Sequence, residues 1–155
     1  MSVTVRPAED EDRLPAAQLF AAVAEERDGI AAEPPIDAAR WAERTNVDGM
    51  FVAVEGARCV AVLNLYPSSF GYGEIGMYVA PEWRGKGIGS ALMEAAIAWA
   101  RDRGLHKLTL SVFPHNTAAI ALYRKFGFVE EGMHPKQMRR ANGDLWDLVD
   151  MGLLL

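Results

Sequence analysis

One cysteine, Cys59, stands in a chain of 155 residues. It excludes an internal disulfide, and its place in the apolar run FVAVEGARCVAVLNLY makes it a small buried hydrophobe. Long hydrophobic runs are missing too. No apolar stretch reaches the ~18 residues a membrane span needs, and no basic leader precedes an apolar core, so neither a span nor a signal peptide is expected. Excess positive charge is also lacking. Sixteen Lys and Arg against 21 Asp and Glu leave a net charge of −5, which weighs against nucleic acid, because phosphate neutralisation wants a basic face. Metal-ligand spacing is absent as well: His106, His115 and His134 form no zinc-like pattern, and no metal is expected. These absences together predict a cytoplasmic protein with no membrane or nucleic-acid partner. What remains is ordinary globular composition, with 50% hydrophobic and 24% charged residues. That is enough for one core, and residues 1–155 read as a single domain.

Strand and helix signals alternate along the chain. SVTVR (2–6) alternates and meets Pro7, predicting a strand that stops at a turn. Leu14, Ala17, Phe20, Ala21 and Ala24 recur at helical spacing and Gly29 follows, predicting a helix over 12–27. Beyond Pro34-Pro35, Asp37 caps a short helix carrying Ala38, Trp41 and Ala42. The runs MFVAVE and CVAVLNLY, joined at Glu55-Gly56, read as a hairpin, and a further strand covers 74–80. A helix over 88–102 buries Leu92, Ala95, Ala96 and Trp99 and ends at Gly104. HKLTLSVF (106–113) is a strand. Asn116 then caps a helix with Ala119, Leu122, Tyr123 and Phe126 on one face, closed by Gly127. The last element is a hairpin with Asn142-Gly143 as a two-residue turn and LWDLVDMGLLL returning. The order β-α-α-β-β-β-α-β-α-β-β places the fold in the α/β class.

Between the strand at 74–80 and the helix at 88–102 lies PEWRGKGIGSAL (81–92). A helix N-terminus offers unpaired N–H groups and partial positive charge, glycines admit a ligand close to the backbone, and Arg84 and Lys86 add formal charge. The spacing is neither that of a P-loop nor that of G-x-G-x-x-G. Glycine-rich turns also precede helices for steric reasons alone, so the pattern leaves a structural turn and an anion cradle both open.

Arg84-Gly85-Lys86-Gly87-Ile88-Gly89 resembles the Arg/Gln-x-x-Gly-x-Gly/Ala signature of the GNAT superfamily of N-acetyltransferases. NTAAIALYRKFGF (116–128) resembles that family's later helix, in the right order and at the right separation. The likeness runs from about residue 3 to the C-terminus and is sharpest over 74–128. Glu74-Ile-Gly-Met-Tyr-Val and Gly143-Asp-Leu-Trp-Asp resemble the branch of phosphinothricin and amino-acid N-acetyltransferases.

The resemblance implies a mixed, mostly antiparallel sheet, splayed between two strands and flanked by helices. It implies acetyl-CoA as co-substrate, its pyrophosphate on the backbone of Arg84, Gly85, Lys86, Gly87, Ile88, Gly89 and Ser90. The pantetheine arm would lie along Met77, Tyr78 and Val79, with Asn116 reaching its amides. Direct transfer to a primary amine on a small amino-acid-like molecule would follow, in a homodimer. Tyr123 would protonate the CoA thiolate and Glu74 would take the amine proton. From the residue pattern alone Tyr123 is a core aromatic, Asn116 an N-cap and Glu74 a solvated strand start. In the same family reading Tyr66, Phe70, Tyr72 and Trp146 ring the amine, and Arg139 or Arg140 reaches a carboxylate at its other end. Two alternatives stay open. One is acyl-CoA binding without catalysis, which has no need of Tyr123 or Glu74. The other is acetylation of a protein N-terminus or lysine, or of a charged tRNA, the last opposed by the acidic balance.

Overall fold

Seven short runs rich in Val, Leu and Ala form one sheet in the computed structural model, which describes residues 2–155. The strands are β1 (Thr4–Pro7), β2 (Met50–Glu55), β3 (Arg58–Pro67), β4 (Tyr72–Val79), β5 (Lys107–Val112), β6 (Val129–Arg139) and β7 (Leu145–Leu154). Their order across the sheet is β1-β2-β3-β4-β5-β7-β6, antiparallel throughout except for β4 beside β5. The helices are α1 (Arg13–Ala24), α2 (Ala38–Arg44), α3 (Ile88–Asp102) and α4 (Thr117–Lys125), in the order that the spacing predicts. Among the described residues no helix is long and apolar enough to cross a membrane.

Strand alternation sorts the core between the two faces of the sheet. Phe51, Ala53, Leu63, Leu65 and Ile75 pack against Leu92, Met93 and Ala96 of α3 and Tyr123 of α4. On the opposite face Met50, Val52, Val62 and Cys59 meet Ala16 of α1. The Cys59 thiol is buried as expected, and burial pushes its pKa up to about 11.

Three local expectations are corrected. Pro7 does not stop β1. It pairs with Phe51 at the end of the strand, which a proline tolerates because β1 is an edge and needs no donor on its outer side. The first helix begins later and ends sooner than 12–27: Asp10–Asp12 form a single 3₁₀ turn and α1 stops at Ala24. Leu14 is exposed, while Ala16, Ala17, Val23 and Ala24 are buried. The last hairpin does not turn on two residues. Arg140 N–H bonds the Asp144 carbonyl, Gly143 N–H bonds the Arg140 carbonyl, and Gly143 takes φ 93°. That is a three-residue loop with a left-handed glycine, the common alternative to the two-residue turn.

The parallel contact matters most for the site. β4 and β5 pair only at Tyr72–Lys107, Gly73–Leu108 and Glu74–Thr109. Beyond Glu74 the two strands part, although β4 runs on to Val79 and β5 to Val112.

Candidate active site

The gap between β4 and β5 opens into a cavity of about 1240 Å³ that passes from one face of the sheet to the other. Three groups of residues build it.

The first is the glycine loop. Gly85 and Gly87 have φ 73° and 83°, left-handed values that favour glycine, and beyond the adjoining residues of the chain no atom lies within 4 Å of where either Cβ would stand. Gly87 is the N-cap of α3 and contributes no side-chain cap. Ala91 N–H bonds the Gly87 carbonyl, so the N–H groups of Ile88, Gly89 and Ser90 lack intrahelical partners and face a helix N-terminus. Gly89 differs from its neighbours: a Cβ there would meet Leu122 at 3.0 Å and Met77 at 3.5 Å, so its bareness serves the packing of α3 on α4. The Arg84 side chain is not a free charge. It donates from Nε to the Val79 carbonyl at 3.0 Å and from both Nη atoms to Glu26 at 2.8 Å, bracing the loop. Within 84–90, Lys86 alone lies off the cavity wall, its ammonium over the Trp83 ring at 5.0 Å. Ser90 lines the cavity and accepts from Lys125 at 3.2 Å.

The second group is the open edge of β4. Ala80 N–H bonds Val60 on β3, and the register continues in step through Val62–Tyr78 and Asn64–Gly76. In an antiparallel ladder alternate residues bond to the same neighbour, so the N–H groups of Met77 and Val79 point away from β3, into the splay. Asn116 and Tyr123 face the same space from α4. Asn116 caps α4 by accepting from Ala119 N–H at 3.3 Å. Tyr123 is 7% exposed, and burial alone lifts its phenol to about 12. Both residues therefore do the structural task that the pattern expects and also border the cavity.

The third group lies on the α1–α2 face. Glu74 sits inside β4, not at its start, with Tyr66 and Thr109 as its cross-strand neighbours. By alternation Glu74 and Tyr78 face α1 while Met77 and Val79 face α3 and α4, so Glu74 and Tyr123 reach the splay from opposite sides. Tyr66 lines this lobe, its phenol raised first by burial and then by the Glu74 charge. Tyr78 is raised further by burial and donates to the Ala16 carbonyl at 3.3 Å. Segment 28–37 and α2 add Ile30, Trp41, Arg40 and Arg44 to the wall of the lobe. These residues are missed by the sequence reading; the one available signal is two arginines at i, i+4 on a short helix.

Four further expectations are corrected. Phe70 is 80% exposed, and neither it nor Tyr72 lines the cavity, because both belong to the far end of the β3–β4 hairpin. Trp146 is off the wall too, edge-on to Phe113 at 4.9 Å. Arg140 does not line the cavity. It is 4% exposed, stacked over Trp146 at 4.4 Å, and donates to the Ala31 carbonyl at 2.9 Å. With Glu33 accepting from Ala141 N–H at 2.7 Å, it clamps segment 28–37 to the β6–β7 hairpin. Arg139 is exposed and also off the wall.

The model of the acetyltransferase (GNAT) family matches residues 16–128. This chain belongs to that family. The GNAT chain is 39% identical over 82 residues to L-methionine sulfoximine/L-methionine sulfone acetyltransferase of Pseudomonas aeruginosa, which covers 53% of this chain and 47% of that protein. The chain spans about half the length of the first curated relatives it matches. Among solved structures, ribosomal-protein-alanine N-acetyltransferase from Brucella melitensis superposes with TM-score 0.85 at 29% identity, over 98% of this chain and 99% of that one. The phosphinothricin acetyltransferase of Sinorhizobium meliloti in complex with acetyl-CoA gives TM-score 0.84 at 24% identity, over 100% and 89%. The latter shows shared fold. The mixed, mostly antiparallel sheet is thus the GNAT fold that the sequence resemblance implies.

Proposed function

We propose that the chain is an acetyl-CoA-dependent N-acetyltransferase that moves an acetyl group directly to the primary amine of a small, amino-acid-like molecule. One observation carries the reading: a single cavity joins an uncapped helix N-terminus behind left-handed glycines to a splayed strand edge, with Glu74 and Tyr123 on opposite sides.

The residues fit the co-substrate. The open space over Gly85 and Gly87 and the unpartnered N–H groups of Ile88, Gly89 and Ser90 suit a pyrophosphate. The N–H groups of Met77 and Val79 suit an extended arm carrying amides, and Asn116 borders the same channel. Bound acetyl-CoA supplies an activated thioester. A strand N–H at Val79 then stabilises negative charge growing on the acetyl oxygen, without reorganisation. Glu74 takes the amine proton, directly or through a water. Tyr123, on the cavity wall, would stand by the departing sulfur. With its phenol at about 12 and a free thiol near about 8.5, complete proton transfer runs uphill, so Tyr123 acts as a hydrogen-bond donor to the thiolate as it forms.

The named substrates of the Pseudomonas relative, a sulfoximine and a sulfone of methionine, support a small amino-acid-like acceptor. So does the clamped segment 28–37, which lines the acceptor lobe. A second reading, acetylation of a protein N-terminus, draws on the whole-chain likeness to the Brucella enzyme. CoA release measured with a thiol reagent separates them. Turnover of free amino acids or their sulfone and phosphinic analogues, ahead of peptides, is expected. Efficient turnover of peptides with free N-termini, while small amines stay inert, would transfer the assignment to the second reading.

A further inference from the structure

The acceptor lobe holds more charge than the transfer step uses, and most of it is already engaged. Glu26 grips Arg84 at 2.8 Å through both oxygens. Asp28 lies 3.1 Å from His115 Nε2. Asp37 caps α2 by accepting from Arg40 N–H at 3.1 Å. Among the described residues, the charged side chains of the cavity wall left without any side-chain hydrogen bond or ion pair are Glu74, Arg40 and Arg44.

The two arginines stand one turn apart on α2, a helix of seven residues. Neighbours at that spacing have Cβ atoms ~5–6 Å apart, and like charges there destabilise a helix. Both line the cavity that Glu74 also lines. The unmatched charge is therefore one carboxylate and two guanidiniums. A ligand of the reverse pattern, one ammonium and two anionic groups, would pair all of it. Guanidinium is the cation best fitted to such a task, because its planar fork meets a carboxylate or phosphinate with two parallel hydrogen bonds.

We infer that Arg40 and Arg44 form the anion subsite of the acceptor pocket, and that the acceptor is an amino-acid-like amine carrying two anionic groups, with the charge pattern of an acidic amino acid. This rests on the acetyl-transfer reading above and narrows it. Glu74 receives the ammonium, Arg40 and Arg44 hold the anions, and the span between them sets the length of the acceptor.

L-glutamate, L-glutamine and n-butylamine present two, one and no anionic groups beside a primary amine, and serve as probes. With acetyl-CoA saturating, kcat/KM follows that series, glutamate exceeding glutamine by roughly 10-fold or more. Arg40→Gln and Arg44→Gln each raise the KM for glutamate by a similar factor and erase its advantage, with acetyl-CoA affinity unchanged and far-UV circular dichroism showing an intact fold. Glutamine matching glutamate in the parent protein overturns the inference and leaves acetyl transfer standing, as does an unchanged KM in the double variant. If neither these amines nor the sulfone and phosphinic analogues release CoA, the reading of transfer to a small amine fails by itself, and calorimetry of L-glutamate against the CoA complex still decides the subsite. Binding weakened in the double variant supports it; absent or equal binding overturns it.

Discussion

Tyr123 illustrates how one side chain serves packing and chemistry together. Its ring leans on Phe128 at 5.8 Å, and the residue also lines the cavity. Because burial lifts the phenol to about 12, the hydroxyl keeps its proton throughout the neutral range and is always ready to donate. Tyr123→Phe keeps the ring and removes the donor. It is expected to lower kcat by about 10-fold or more with little change in acetyl-CoA affinity. The sign of the shift also predicts that no alkaline limb of kcat below about pH 10 arises from this residue. Stopped-flow turnover across pH, with chemistry shown to be rate-limiting, tests both; an unchanged kcat would return Tyr123 to packing alone. The residue scale also shows why some roles are legible in sequence and others are hidden. Asn116 is readable as a cap because its partner, Ala119, is three residues away. Arg140 is read wrongly because the carbonyls it holds, Ile30 and Ala31, lie over a hundred residues back along the chain. No local pattern announces such a bond.

At the scale of elements, the glycine loop and the edge of β4 divide the binding of the co-substrate between them. Gly87 offers the cleaner test of the loop. A methyl placed there meets nothing within 4 Å beyond the adjoining residues, but the residue sits at φ 83°, so Gly87→Ala carries a backbone cost of about 1–2 kcal/mol. The added methyl also takes up part of the open space proposed for the pyrophosphate. Acetyl-CoA affinity by calorimetry is expected to fall at least several-fold, beyond what the loss of stability in urea accounts for. Equal affinities would assign the glycines to the turn only. Element type and order were readable because periodicity is local: α3 occupies the residues that its apolar spacing marks, and α4 follows its asparagine cap. Pairing was not readable. That β4 takes β5 as a parallel neighbour for only three registered pairs, and that Glu74 lies within β4 with a strand on each side, are facts about residues distant in the chain. The same limit misplaced Phe70 and Tyr72, whose turn end of the β3–β4 hairpin points away from the splay.

At the scale of the whole molecule, the sheet is two halves meeting at its weakest seam. β1 to β4 carry α1 and α2, while β5, β7 and β6 form the other half. A ligand lodged in the splay would touch β4 on one side and α4 on the other, replacing a strand contact that the fold leaves unmade. Its binding should therefore stiffen both halves together, and by mass action a ligand present at about 100 times its Kd adds about 2.7 kcal/mol to stability. Hydrogen exchange followed by mass spectrometry with and without CoA gives the spatial test. Protection is expected jointly in peptides spanning Met77 to Val79, the first turn of α3, and Asn116 to Tyr123, alongside a rise in Tm. The three segments lie on separate elements, β4, α3 and α4, so a change in one does not entail a change in another. Protection confined to the glycine loop, with α4 unaltered, would mean that CoA is held by its phosphates alone; the arm would then not run through the splay, and neither Glu74 nor Tyr123 would stand beside the reacting atoms.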